Sequence, residues 1–127
     1  IPIAIIDKRR PAPNRAEVAS LVGEVSGLDA LIYDDMIDTG GTLVGAARAI
    51  IEQGAKSVTA LATHGILSDP AIERIADSDI REVIITDTLC LPAGRQHEKI
   101  KQLSVAPLLA EAILRIHDGK SVSSLFI

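Results

Sequence analysis

Leu31-Ile32-Tyr33-Asp34-Asp35-Met36-Ile37-Asp38-Thr39-Gly40-Gly41-Thr42 is the stretch that decides how this chain is built. An apolar run ends in two adjacent carboxylates, a third carboxylate follows, and a small glycine-containing turn closes the stretch. Upstream, Ala30 to Tyr33 is uniformly apolar, the composition of a parallel strand covered on both faces. Downstream, Leu43, Ala46, Ala47, Ile50 and Ile51 fall at i, i+3, i+4, i+7 and i+8, one face of a helix. Gly54 stands where the cap at the end of that helix is expected. Strand, loop and helix N-terminus in this order let open α/β sheets hold a ligand beyond the carboxyl ends of their strands.

The residue types name a ligand chemistry. Thr39-Gly40-Gly41-Thr42 offers backbone N–H groups with no bulky side chain in the way, together with two hydroxyls. Unpaired N–H groups and the positive end of a helix dipole make an anion seat, most simply for a phosphate. Asp34, Asp35 and Asp38 crowd negative charge into five residues, and like charges so close repel. Ionised carboxylates accept hydrogen bonds, so vicinal sugar hydroxyls suit them, and Mg2+ carried by the ligand relieves the repulsion. Phosphate on the turn and hydroxyls on the aspartates describe a sugar phosphate. The plainer alternative is an ordinary helix N-terminus capped by Thr39 or Asp38. The stretch is neither a Walker A loop, having no Gly-Lys-Ser/Thr, nor a GxGxxG dinucleotide turn.

Asp34 to Thr42 resembles the phosphoribosyl-pyrophosphate motif of type I phosphoribosyltransferase folds, and its wording is most similar to the ribose-phosphate pyrophosphokinases. Three further stretches narrow the likeness: Ile6-Asp7-Lys8-Arg9-Arg10-Pro11, Ser104 to Ile113, and Ser121 to Phe126. The likeness covers nearly all 127 residues, in order. The aspartate-threonine motif alone would not separate synthetase from transferase; the other three do.

The totals bound the class. At 127 residues the chain is one domain, 1–127. Apolar residues make up 47%, enough for a core, but Tyr33 and Phe126 are the only aromatics, so that core is Ile, Leu, Val and Ala. Scarce aromatics weigh against a stacking platform for single-stranded nucleic acid. A formal net charge of −4 argues against nucleic acid or an anionic membrane as partner. One cysteine, Cys90, excludes an intrachain disulfide and suits a reducing, cytoplasmic setting. No apolar run approaches the roughly 20 residues needed to span a bilayer, and no signal peptide is visible.

Taken in order, Ile3 to Ile6 reads as a short buried strand. It opens the chain without a preceding turn, which suggests a piece of a longer protein. Asp7 to Arg15 carries four cations and two prolines and reads as an exposed, extended loop. Glu17 to Val22 is a weak strand. Ser57 to Thr63 is a second strand of the main sheet, ending at His64-Gly65 beside the aspartates. His64 is expected to be satisfied by loop backbone. Pro70 opens a short helix capped by Ser68 or Asp69. Glu82 to Thr86 is a third parallel strand, and Thr86-Asp87-Thr88 can line the site. Cys90 to Gln102 reads as irregular, with Cys90 a small apolar residue rather than a reactive thiol. Leu109, Ala112, Ile113 and Ile116 stripe a helix ending near Gly119, and Ser121 to Ile127 reads as a terminal strand. The fold class expected is an open, mostly parallel α/β sheet flanked by helices.

The resemblance implies more. The family joins two similar α/β domains, and this chain resembles the C-terminal, ribose-5-phosphate-binding one, with the N-terminal half absent. The implied reaction moves a diphosphoryl group from MgATP to ribose 5-phosphate, giving phosphoribosyl pyrophosphate and AMP for nucleotide biosynthesis. Asp34, Asp35, Asp38, Thr39, Gly40, Gly41 and Thr42 would bind the sugar phosphate. Lys8 and Arg10, on a basic loop that closes over the transferring phosphates, would be catalytic. Ser121 and Ser123 would contribute to a regulatory phosphate or ADP site between subunits, or be plain edge-strand hydroxyls. Mg2+ is the implied cofactor, with no protein ligand to it from these residues, and the full-length enzyme would self-associate as a homohexamer. The 127 residues alone would then be inactive. Two rivals remain: a phosphoribosyltransferase using the same seat, and a non-catalytic subunit of synthetase type.

Overall fold

The computed structural model describes residues 3–9, 18–91 and 94–126. Four strands form a parallel sheet in chain order: β3 (Asp29–Ile37), β4 (Ser57–Gly65), β5 (Ile80–Thr86) and β6 (Ile100–Leu103). Ahead of it, β1 (Ile5–Arg9) and β2 (Val18–Val22) pair antiparallel as a separate two-stranded sheet. Helix α1 (Gly41–Glu52) returns the chain from β3 to β4, and α2 (Ala71–Ala76) from β4 to β5. Helix α3 (Ala106–His117) and a 3₁₀ turn at Ser123–Leu125 follow β6. The expected open parallel sheet flanked by helices is what the chain forms.

One face of the sheet carries the core. Alternation along the strands puts Val58, Ala60 and Ala62 of β4 beside Val83 and Ile85 of β5, all buried. They meet Leu43, Ala47 and Ile50 of α1 and Ala71 and Ile75 of α2 in one cluster. The buried residues of α1 are those its periodicity selects. The β4–β5 register slips between Val58 and Thr59, so Val58 opposes Ile80 while Thr59 opposes Glu82. The slip lets Ile80 and Val83, three residues apart, face the same core.

Several expectations are corrected. β3 is not a strand covered on both faces: it is the edge of the sheet, with Leu31 61% and Tyr33 77% exposed on the side away from α1. It also runs on past the aspartates to Ile37. The first apolar run is not a buried strand: Ile3 and Ile5 are exposed, and the strand belongs to the antiparallel pair. Asp7 to Arg9 are part of β1 rather than of a loop. Cys90 to Gln102 is not irregular throughout: its last three residues open the strand Ile100–Leu103. The terminal Ser121–Ile127 is no strand; its described part holds the 3₁₀ turn. Pro70 is itself the residue ahead of α2, and no side chain caps that helix.

Candidate functional site: the turn after β3

The carboxyl ends of β3, β4 and β5 converge on one edge of the sheet. Met36 pairs with His64 and Ile37 with Gly65. The Ile37 carbonyl accepts both Ile66 N–H and Leu67 N–H at 3.0 Å, which anchors the end of β3 to the chain leaving β4. Gly65 makes room for β5 on its other side: a Cβ there would run into Ile85. Beyond Ile37 the chain bends through Asp38, Thr39 and Gly40 and enters α1 at Gly41.

The turn leaves the start of α1 open. Gly40 is the N-cap residue, with φ +72°, a backbone that L side chains rarely adopt. No side chain caps α1, and no acidic residue stands in its first turn. The plainer alternative, capping by Thr39 or Asp38, is therefore not what the turn does. The first intrahelical bond runs from Val44 N–H to the Gly40 carbonyl at 3.0 Å. The N–H groups ahead of it have no partner within the helix, and the dipole adds positive potential there. On the far side, Arg74 of α2 donates to the Thr39 carbonyl at 2.9 Å.

The aspartates divide. Asp34 is half-buried and lines a cleft of about 680 Å³ that also reaches Thr42. Asp35, next along the strand, is exposed, and alternation turns it to the other side. The Asp34 carboxylate accepts the Asp35 backbone N–H at 2.9 Å. Asp38 and Thr39 are exposed on the bend. From Asp34 and Thr42 the cleft runs along β3 toward Ile6, Leu21 and Val25, with the carboxylates Glu24 and Asp29 also in its wall. Among the described residues no three His, Cys, Asp or Glu side chains gather as a metal site, so the three aspartates do not converge on one point.

His64 does not rest on loop backbone. Its Nδ1 lies 2.8 Å from the Thr88 hydroxyl. Thr86 and Thr88 hydroxyls both donate to the Thr63 carbonyl, at 2.6 and 3.1 Å. Asp87, expected to line the site, turns to structure: it accepts Val105 N–H at 2.8 Å. Hydrogen bonds from the Ser104 side chain and that backbone N–H hold its carboxyl below the usual carboxylate range. Lys8 has its backbone in β1, opposite Ala19, while Arg10 lies outside the described residues. Ser121 and Ser123 are exposed near the 3₁₀ turn. The Ser121 carbonyl accepts from Arg115 at 3.2 Å.

A family model described as the phosphoribosyl synthetase-associated domain matches residues 4–127. The chain belongs to that family. Among relatives of this synthetase-associated domain, the ribose-phosphate pyrophosphokinase of Caldanaerobacter subterraneus subsp. tengcongensis is 60% identical over 125 residues. The one from Bacillus subtilis is 56% identical. Each match takes in 98% of this chain, which spans 40% and 39% of those relatives. The crystal structure of phosphoribosylpyrophosphate synthetase from Mycobacterium smegmatis superposes with a TM-score of 0.82 at 43% identity. That match takes in 91% of this domain and 37% of that chain. The expectation that the domain is the C-terminal half of a longer enzyme is not borne out by these matches, which fix a share of length and no position within it.

Proposed function

We propose that this chain supplies the ribose 5-phosphate site of a ribose-phosphate diphosphokinase. The observation that carries the reading is the uncapped helix start at Gly40–Thr42 with Asp34 beside it, in a chain 60% identical to a ribose-phosphate pyrophosphokinase. The sugar's 5-phosphate sits on the N–H groups of Gly40, Gly41 and Thr42, with the Thr39 and Thr42 hydroxyls at its rim. Asp34 accepts a ribose hydroxyl from within the cleft, and Asp35 and Asp38 accept from outside it. The anomeric hydroxyl attacks the β-phosphorus of ATP; its proton passes to solvent, the bond from the β-phosphorus to the oxygen it shares with the α-phosphate breaks, and AMP leaves with that oxygen. Positioning and electrostatic stabilisation do most of this work. Lys8 and Arg10 are the cations proposed to meet the charge on the transferring phosphates, the arginine as a fork and the lysine as a point charge. Mg2+ would be held by phosphate, water and sugar hydroxyl oxygens, with no protein ligand from these residues, and would offset phosphate charge. Ser121 and Ser123 are proposed to serve effector binding, and the full-length protein to act in nucleotide biosynthesis as a homo-oligomer.

The test incubates the full-length protein with ATP, Mg2+ and ribose 5-phosphate. AMP and phosphoribosyl pyrophosphate are expected in equal amounts, and neither from the 127 residues alone. ATP left intact by the full-length protein would refute the reading. Lys8→Ala is expected to cut kcat far more than it raises KM for the sugar phosphate.

A further inference from the structure

We propose that Arg74 is a positioning residue: it fixes the orientation of the Thr39–Gly40 peptide and so presets the phosphate seat, an inference that rests on the phosphosugar reading of that turn. Its Nη1 donates to the Thr39 carbonyl at 2.9 Å from a helix 35 residues further along the chain. In a planar trans peptide, the carbonyl oxygen and the N–H that follows it point in opposite directions. Drawing the Thr39 carbonyl toward α2 therefore aims Gly40 N–H the other way, off α2 and out of the turn.

The lock matters because little else resists rotation. Gly40 has φ +72° and no Cβ, so this peptide can turn over at small steric cost. A turned peptide would present a carbonyl oxygen where an N–H is needed, replacing attraction for an anion with repulsion. No side chain caps α1. Among the described residues, the Arg74 bond is the one side-chain hydrogen bond to a backbone group of Thr39, Gly40 or Gly41. The guanidinium also packs on the turn, its Nη1 standing 3.4 Å from where a Gly41 Cβ would be. Gly40 in turn lies against Ala71 of the same α2, whose Cα would be 3.5 Å from a Gly40 Cβ. Helix α2 is thus a backstop that sets the seat, and Arg74 is its latch.

The test uses the full-length protein with Arg74→Gln and Arg74→Lys, each checked for an unchanged melting temperature. Arg74→Gln is expected to raise both the calorimetric Kd and the KM for ribose 5-phosphate by about tenfold, the scale of one charge-assisted hydrogen bond. The KM for ATP should stay within about twofold, since only the sugar-phosphate seat has changed. Arg74→Lys keeps a donor and should recover most of the loss. Should Arg74→Gln fail to fold, Arg74→Lys carries the test, with a smaller rise confined to ribose 5-phosphate. A rise shared equally by both substrates, or none for ribose 5-phosphate, would overturn the latch. A wild-type protein that does not bind ribose 5-phosphate at all would overturn instead the reading beneath it.

Discussion

Asp34 and Asp35 look like twins in the sequence and are unlike in the fold. Successive side chains of a strand leave it on opposite sides. Because the strand continues to Ile37, that alternation separates the two carboxylates. Asp34 is half-buried and shares a cleft with Thr42 of the turn into α1, whereas Asp35 is exposed. A hydrogen bond made out of bulk water is worth more than one made within it. Asp34→Asn, which keeps shape and removes charge, is expected to raise KM for ribose 5-phosphate by about ten- to a hundredfold in the full-length protein. Asp35→Asn should raise it several-fold less. Steady-state kinetics with each variant decide, and equal effects would mean that the sugar straddles the strand. The sequence could announce three acidic residues and a glycine turn into a helix, since both depend on local order. It could not say which carboxylate faces the cleft, because that turns on where β3 stops.

At the scale of elements, what was legible followed strong periodicity. Leu43 to Ile50 carries a helical stripe and buries it, and Ser57–Gly65 and Ile80–Thr86 carry dense apolar runs and lie inside the sheet. What was not legible was contextual. Ile100–Leu103 is a short strand with two polar residues, the composition of an edge that has only one neighbour. Arg74 has no local pattern to mark it, because its partner is a backbone carbonyl 35 residues away. Asp87 is similar: it directly follows β5 and ties the end of that strand to the start of α3 through Ser104 and Val105. This tie has a pH signature. The Asp87 carboxyl is held below its ordinary range in the folded chain, so the unfolded chain binds its proton first. The stability it contributes is full above the ordinary carboxylate range. It is lost as pH falls through the lower folded value. Asp87→Asn should therefore flatten part of the acid limb of a stability-against-pH curve and leave its shape near neutrality unchanged. Urea unfolding of wild type and variant at stepped pH would show this, and parallel acid limbs would remove Asp87 from the account.

For the whole molecule the question is what the apolar surface does. Helix α3 buries none of its residues; Leu109, Ile113, Leu114 and Ile116 are all more than half exposed. On β3, Leu31 and Tyr33 are exposed on a nine-residue strand at the edge of its sheet. Exposed apolar patches mark contact surfaces, and an edge strand offers unpaired backbone groups. Little counters this, since a net charge of −4 spread over 127 residues gives only weak mutual repulsion. The 127-residue chain is therefore expected to self-associate as its concentration rises. Sedimentation velocity across a hundredfold concentration range should show a rising weight-average mass. Ile113→Asp with Ile116→Asp places two charges on the α3 stripe without touching the buried core of α1, β4 and β5. That pair should lower the association while leaving thermal unfolding nearly unchanged, because residues already in water contribute little packing to the fold. A mass that stays monomeric throughout would mean that these side chains are tolerated singly in water. A mass that rises equally in the charged variant would move the contact from α3 to the open flank of β3, where Tyr33→Lys is the next substitution to make.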